Sequence, residues 1–262
     1  MKYEKIPHTT HTLPLGLPRY IEGSSEHAVL VLHGFTGITG NMAYLINRLS
    51  EEGFTVAAPR FPGHGTNFTD FHLTGWKDWL RRSIDVYLDL RGSYSKVYIT
   101  GLSMGGVLAL ILAALFEVEK IALCAPALAV RNKLIYLTPI FRFIIPKLPT
   151  GYEEKSEDPQ RRFLAGEYWS SRTSHSVYQL LRLQRYAKKL LPKVETDTLT
   201  LVSAADKSVP PKVAELIESR ISSVRKRRVV LEKSSHVITE GEEKARVADE
   251  IIRWFEAQPN KA

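Results

Sequence analysis

The sequence predicts an α/β protein in which a mostly parallel sheet is flanked by helices and carries a small cap insertion. Short runs rich in Val, Ile and Leu alternate along the chain with amphipathic segments, and such alternation favours right-handed β-α-β crossovers. The β-like runs are almost continuously apolar, as expected of parallel strands covered on both faces. The 262-residue chain is 44% hydrophobic and 24% charged, which is ordinary for a globular protein with a large core.

Before residue 127 the chain alternates β-like runs with helix-like segments. The first helix-like segment stops at Gly53, a typical end signal, and the third is apolar almost all round, as expected of a helix pressed against the centre of a sheet. The β-like runs are residues 27–35, 54–59, 96–101 and 120–126, and the helix-like segments are residues 39–53, 75–92 and 104–116. After residue 195 the same alternation continues, with β-like runs at 198–206 and 227–232 and helix-like segments at 210–221 and 244–257.

The stretch 127–195 interrupts this rhythm, because no strand–helix unit is evident in it. Its apolar part contains Pro139 and Pro146, and a basic amphipathic helix is predicted to begin near Ser174. We interpret this stretch as a small cap on the sheet. Residues 1–126 and 196–262 are then expected to form the core.

Charge and cysteine content exclude several classes of protein. The net charge is +8, but no nucleic-acid-binding motif or interleaving of aromatic and basic residues occurs, so no nucleic-acid partner is expected. The basic run at 225–228 is interpreted as a solvated turn before a strand. The single cysteine, Cys124, excludes internal disulfides and a multi-cysteine metal site, and it favours a reducing, cytoplasmic compartment. No signal peptide and no membrane span are expected, because the required apolar runs are missing.

The stretch GLSMG at 101–105 places a serine between two glycines at a predicted strand-to-helix junction. It matches G-x-S-x-G, in which a strained turn lifts the serine Oγ above the edge of the sheet. Cβ atoms at Gly101 and Gly105 would crowd the strand against the helix, which accounts for the small residues. We predict that Ser103 is a nucleophile; a helix cap in a tight turn is the alternative.

A serine hydroxyl needs a base to become nucleophilic. On a sheet of this type the acid and the histidine follow the serine in the chain, which leaves His175 and His236 among the eight histidines. His175 lies in the predicted cap, whereas His236 follows a late strand at the edge where catalytic groups gather. We therefore predict that His236 is the base.

The acid that orients His236 is predicted to be Asp206, which ends a β-like run about 30 residues earlier. Asp197 lies at the opposite end of that run, and Asp249 follows the histidine in the chain. Helix capping is the alternative role for Asp206.

Two backbone N–H groups are needed to bind the oxyanion of an acyl-transfer intermediate. Met104, the residue after the nucleophile, provides one, and the loop after the first long strand provides the other. Phe35, which follows His33 and Gly34, is the candidate in that loop. His33 and His64 are interpreted as structural supports.

The motifs LHGFTG, FPGHG, GLSMGG, AAD and SSHVIT occur in this order, and with them the chain resembles the α/β-hydrolase family from about residue 27 to residue 257. More narrowly it is similar to small bacterial carboxylesterases of the monoacylglycerol lipase type. The resemblance implies a triad under a small mobile cap, no cofactor and no metal. It also implies carboxylic esters as substrates, with short to medium acyl chains, or monoacylglycerols. The family roles fall on Ser103, Asp206 and His236, with Phe35 and Met104 as oxyanion donors.

Other activities on the same triad stay open at this point. A thioesterase, a carbon–carbon bond hydrolase or a cofactor-free perhydrolase would carry the same residues, whereas a dehalogenase would need a carboxylate in place of Ser103. A non-catalytic ligand-binding protein on this fold would be expected to lack a triad member. The expected partner is therefore a small-molecule ester or a lipid.

The apolar part of the cap provides candidates for substrate binding. We expect its side chains either to line an acyl pocket or to contact a lipid surface beside Arg142 and Lys147, with packing inside the cap as the alternative. The candidates are Leu134, Ile140, Phe141, Ile144 and Ile145.

Overall fold

A seven-stranded sheet forms the centre of the molecule in a computed structural model that describes residues 3–141, 147–150 and 152–257. The strands of this sheet and of a second, two-stranded sheet are β1 (Arg19–Ile21), β2 (His27–Leu32), β3 (Thr55–Ala58), β4 (Lys96–Leu102), β5 (Lys120–Cys124), β6 (Lys147–Pro149), β7 (Ser171–Thr173), β8 (Asp197–Ser203) and β9 (Lys226–Leu231). The large sheet has the order β1-β3-β2-β4-β5-β8-β9. β1 pairs antiparallel with β3, and the other pairings are parallel, which confirms the mostly parallel sheet.

Helices cover both faces of this sheet. They are α1 (Ala43–Glu51), α2 (Phe68–Leu73), α3 (Trp76–Ser93), α4 (Met104–Leu115), α5 (Thr138–Phe141), α6 (Pro159–Leu164), α7 (Ser174–Leu190), α8 (Val213–Glu218) and α9 (Lys244–Glu256). Leu30 and Ile99 face the cluster formed with α3, α4, α7 and α8. Their chain neighbours Val29 and Tyr98 face the cluster formed with α1 and α9. Strand side chains alternate between faces, so two buried faces explain the continuous apolar runs.

The segment between β5 and β8 lies over the carboxyl edge of the sheet's central strands. It contains α5, α6, one π-helical turn at Ala165–Trp169, the antiparallel pair β6–β7, and α7, which begins at Ser174 as predicted. Hydrogen bonds tie it to the rest of the chain. The Gly65 N–H donates to Tyr168 Oη at 2.7 Å, and the Phe68 N–H donates to Glu167 Oε2 at 2.6 Å.

Several short elements were not apparent from the sequence, namely β1, α2, α5, α6 and the β6–β7 pair. Each spans six residues or fewer, which is too short for apolar periodicity to be distinctive. The basic run at 225–228 was interpreted from the sequence as a solvated turn. In the structure it lies largely in a strand, because β9 begins at Lys226. There Arg227 pairs with Glu250 at 2.6 Å and Arg228 pairs with Glu218. None of the helices in the described part of the chain combines the length and apolar character needed to cross a bilayer.

Candidate active site

Ser103 occupies the junction between β4 and α4 in a left-handed backbone conformation, with φ 56° and ψ −110°. A non-glycine residue in such a region costs about 1–3 kcal/mol and persists only where its surroundings hold it. The neighbouring strand does so here. The Ser103 N–H donates to the Cys124 carbonyl at 2.8 Å, and the Ser103 carbonyl accepts from the Ala127 N–H at 3.0 Å.

The glycines around Ser103 allow α4 to approach the sheet closely. A Cβ atom on Gly105 would overlap the Leu32 carbonyl oxygen, and one on Gly101 would overlap the Gly105 carbonyl carbon. A Cβ on Gly106 would lie 3.0 Å from Pro126 Cβ. None of these three glycines has a positive φ, so close backbone contact rather than conformational freedom requires them.

The three predicted triad residues lie in one hydrogen-bonded line at the carboxyl edge of the sheet. Ser103 follows β4, Asp206 follows β8 and His236 follows β9. His236 Nε2 is 2.9 Å from Ser103 Oγ, and His236 Nδ1 is 2.7 Å from Asp206 Oδ2. Ser103 is 7% exposed and Asp206 is 2% exposed, so the line is largely shielded from water. This arrangement can activate a serine hydroxyl as a nucleophile.

Asp206 is held in place by its own loop. Its Oδ1 accepts from the N–H groups of Ser208 at 2.7 Å and Val209 at 2.9 Å, which leaves Oδ2 for His236. Burial acts to raise the pKa of the Asp206 carboxyl, but the hydrogen bond from His236 and those from the backbone outweigh it and lower that pKa below its usual value. Asp206 is therefore placed to accept the Nδ1–H of the imidazole as a carboxylate.

A tight turn carries Phe35 beside Ser103. The Gly37 N–H donates to the Gly34 carbonyl at 3.0 Å, and Thr36 within the turn has a positive φ of 58°. A Cβ on Gly34 would lie 3.4 Å from Ser103 Cβ, so the turn runs directly past the serine.

The backbone N–H groups of Phe35 and Met104 are the predicted oxyanion donors. Met104 is the first residue of α4, so its N–H has no acceptor within the helix. Neither N–H donates to another acceptor in the described ranges of the chain.

His33 and His64 are buried near this turn, with their ring centroids 5.1 Å apart. The Phe61 N–H donates to His33 Nε2 at 3.2 Å, so His33 Nδ1 carries the proton and donates to the Gly34 carbonyl at 3.0 Å. Burial lowers the pKa of His33 to about 4, and burial also lowers the pKa of His64. His33 is thus a neutral support of the turn, in agreement with its interpretation from the sequence. His175, the other histidine considered as a base, lies on α7 with its ring 5.2 Å from that of His72.

A cavity of about 490 Å³ opens beside His236. Phe35, Trp169 and Val237 form part of its wall, and charged side chains form another part. Arg161 Nη2 lies 2.6 Å from Glu240 Oε1, and Asn41 Nδ2 donates to Glu240 Oε2 at 2.9 Å. This network joins α6 to the loop that follows His236. In the described part of the chain, no three His, Cys, Asp or Glu side chains lie close enough together to hold a metal ion.

Ile140 is the one predicted acyl-pocket residue whose side chain the structure describes, and it does not line this cavity. Ile140 lies on α5 and is 66% exposed. Leu134 lies in a 3₁₀ turn and Phe141 ends α5, and Ile144 and Ile145 fall outside the described residues. Their role in substrate binding stays a prediction.

Several residues around the cavity were not identified from the sequence. Trp169 Nε1–H donates to the Thr36 carbonyl at 2.8 Å, and Arg172 and Lys207 line the cavity. Trp169 and Arg172 come from the segment without a recognisable motif. The Asn41–Glu240 bond joins residues 199 positions apart, and no local signal marks such a contact.

Comparisons with known proteins agree with this architecture. A family profile described as "Serine aminopeptidase, S33" matches residues 23–244. The thermostable monoacylglycerol lipase of Bacillus sp. strain H-257 is 31% identical, over 91% of this chain and 93% of that protein. A carboxylesterase of Bacillus subtilis strain 168 is 26% identical, over 88% of this chain and 93% of that protein.

Among solved structures, one reported for the metagenome-derived lipolytic enzymes LipS and LipT has a TM-score of 0.84 and 29% identity, covering 93% of this chain and 98% of that chain. These findings confirm the resemblance and the predicted fold class. The chain therefore belongs to the serine aminopeptidase S33 family of α/β-hydrolase enzymes.

Proposed function

We propose that this enzyme hydrolyses carboxylic esters through an acyl-Ser103 intermediate. Ser103 Oγ attacks the ester carbonyl carbon while His236 Nε2 takes the hydroxyl proton, and the carbonyl electrons move to the oxygen. The N–H groups of Phe35 and Met104 bind the resulting oxyanion. When the carbonyl re-forms, the alkoxide leaves as an alcohol with the proton from His236. Water then attacks the acyl carbonyl carbon while His236 Nε2 takes its proton. The bond from that carbon to Ser103 Oγ breaks, the carboxylic acid departs, and His236 returns the proton to Ser103 Oγ.

The observation that carries this proposal is the hydrogen-bonded line from Ser103 through His236 to Asp206. It supports a role for His236 as a neutral base, because Nδ1–H donates to the carboxylate and Nε2 is directed at the hydroxyl. The strained turn at Ser103 and the two unused N–H groups support the same chemistry. Asp206 acts by orienting the imidazole and stabilising its protonated form.

The substrates that we propose are short- to medium-chain esters or monoacylglycerols. Two relatives that cover most of the chain carry the names monoacylglycerol lipase and carboxylesterase. An ester also fits the size of the cavity, since drug-sized ligands occupy pockets of about 300–1,000 Å³. We further propose a cytoplasmic location, which is consistent with a free, buried Cys124.

We propose that residues 127–195 act as a cap and contact lipid surfaces. Support comes from apolar side chains that this segment exposes to solvent. Leu137 is 44% exposed, and Ile140 beside it projects further. Replacement of Leu137 by Glu should weaken sedimentation with phospholipid vesicles without changing turnover of a soluble acetate ester. Equal vesicle binding by the variant would remove the lipid-surface role.

Covalent labelling tests the proposed mechanism directly. A fluorophosphonate probe should modify Ser103, identified by peptide mass spectrometry, and Ser103→Ala should abolish both labelling and turnover. Nitrophenyl esters of two to sixteen carbons and monoacylglycerols define the acyl preference. Matched thioesters and aminoacyl nitroanilides test for thioesterase and aminopeptidase activity. Absence of labelling with intact folding, or turnover of a nitroanilide but of no ester, would overturn the proposal.

A further inference from the structure

The cavity beside His236 contains an excess of positive charge. Arg161, Arg172 and Lys207 line it, and Glu240 is the one carboxylate among its lining residues in the described part of the chain. Glu240 is already bound, by Arg161 on one oxygen and by Asn41 on the other. The cavity walls therefore leave the charges of Arg172 and Lys207 uncompensated.

No ion pair or side-chain hydrogen bond joins Arg172 or Lys207 to another residue within the described ranges. The stretches outside those ranges, 1–2, 142–146, 151 and 258–262, contain no Asp or Glu. A side-chain carboxylate elsewhere in the chain is therefore not the partner of either cation. The contact that Arg172 does make is with an aromatic ring, because its guanidinium carbon lies 5.8 Å from the centroid of Phe35.

Arg172 and Lys207 are accessible to a ligand. Both residues are exposed and both line the open cavity beside His236, so an anion that enters the cavity can reach their charges. The guanidinium of Arg172 is also held over the ring of Phe35. Such a group is suited to a ligand that brings the missing charge.

The two cations come from different parts of the chain and line the same cavity. Arg172 comes from β7 in the segment over the sheet, and its guanidinium lies above Phe35, whose N–H is a proposed oxyanion donor. Lys207 comes from the core and directly follows Asp206. An anionic group held by both would bridge the cap and the core close to the acyl group of a bound ester.

We propose that Arg172 and Lys207 bind a carboxylate or phosphate group of the ester substrate, so that this enzyme prefers anionic esters. The inference rests on the proposed ester hydrolysis. Arginine can grip either group through two parallel N–H donors, whereas lysine contributes a point charge. The preferred substrates are then half-esters of dicarboxylic acids, or acyl esters whose alcohol part carries a phosphate.

Matched ester pairs test this preference. Mono-nitrophenyl glutarate is compared with nitrophenyl pentanoate, which places a carboxylate on the acyl side of one member only. Butyryl-glycerol 3-phosphate is compared with butyryl-glycerol, which places a phosphate on the alcohol side. At low ionic strength we expect kcat/KM to favour the anionic member of at least one pair by about tenfold or more, as for a charge-assisted hydrogen bond. The preference should weaken as salt is added.

Charge-removing variants assign the effect to the two side chains. Arg172→Gln and Lys207→Gln should each lower the ratio of anionic to neutral kcat/KM by about tenfold. Lys212→Gln, which removes the same charge at an exposed position outside the cavity, should leave the ratio unchanged. A merely structural role for Arg172 would lower kcat/KM for both members of a pair and leave their ratio constant.

The outcomes separate this inference from the function on which it rests. Turnover of neutral esters without any preference for anionic ones would overturn the assignment of Arg172 and Lys207 and leave ester hydrolysis intact. A ratio that both variants leave unchanged would do the same. Failure to hydrolyse any ester, neutral or anionic, with no fluorophosphonate labelling, would instead overturn the proposed function.

Discussion

Trp169 Nε1 donates a 2.8 Å hydrogen bond to the carbonyl of Thr36 and so ties the segment over the sheet to the turn that carries Phe35. Thr36 has a positive φ, and a threonine keeps such a conformation only where neighbours hold it. The indole therefore helps to fix the direction of the Phe35 N–H, although Trp169 lies 133 residues further along the chain.

Replacement of Trp169 by Phe should lower kcat by about tenfold. The ring remains but the hydrogen bond is lost, and an oxyanion donor that is misdirected rather than removed should cost less than the 10²–10³ typical of a deleted donor. Trp76→Phe is the matched control, because Trp76 Nε1 has no hydrogen-bond partner in the described part of the chain. Rates of ester turnover and of fluorophosphonate labelling provide the measurement. An equal fall in both variants would show that ring substitution alone is responsible.

The positive φ of Ser103 predicts that two inactivating substitutions differ in their effect on stability. Ser103→Ala and Ser103→Gly both remove the nucleophile, but only glycine tolerates φ 56° without strain. We expect Ser103→Gly to be more stable than Ser103→Ala by about 1 kcal/mol in urea denaturation. Equal unfolding midpoints would mean that the turn stores no strain. Gly92→Ala, at a site where an added Cβ meets no atom within 4 Å, calibrates the ordinary effect of adding a methyl group.

The sequence was sufficient to predict those parts of the site that follow a strand of the sheet. Ser103, Asp206 and His236 each lie just beyond a β-like run, and parallel strands bring their carboxyl ends to one edge. Their convergence could therefore be inferred from chain order alone.

The cavity wall could not be predicted in the same way. Trp169 and Arg172 lie where a π-helical turn meets a three-residue strand, and neither element has a periodic pattern. Their positions depend on tertiary contacts such as the bond from the Gly65 N–H to Tyr168 Oη. The apolar run that does stand out in the sequence places Ile140 in solvent instead.

Replacement of Asp206 by Asn should reduce kcat by about 10⁴ while the fold survives. The Asn side-chain oxygen can still accept from the N–H groups of Ser208 and Val209, as Oδ1 does now. An amide NH₂ would then face His236 Nδ1, which favours the tautomer with a proton on Nε2, and that tautomer cannot accept the Ser103 proton. The pH dependence of turnover and the melting temperature are measured together. Activity near the original level would remove Asp206 from the triad.

Acid should destabilise this protein through its two buried histidines. Burial lowers the pKa of His33 to about 4 and lowers that of His64 as well, whereas a histidine in the unfolded chain titrates near 6.5. The unfolded state therefore binds protons first as the pH falls. The stability due to the neutral His33 imidazole is complete above about pH 6.5 and is lost progressively down to about pH 4, and the stability due to the neutral His64 imidazole falls in the same direction.

Between pH 7 and pH 5 the free energy of unfolding should fall by about 2 kcal/mol through His33, and His64 should add a fall of the same sign. His64→Gln, which stays neutral throughout, should remove the part of the decline that His64 causes. His8→Gln, at an exposed position, should leave the decline unchanged. Urea denaturation at both pH values measures these differences. An identical pH slope in the wild type and His64→Gln would show that His64 accepts its proton equally well in the folded and unfolded states, contrary to its burial between the rings of His33 and Phe71.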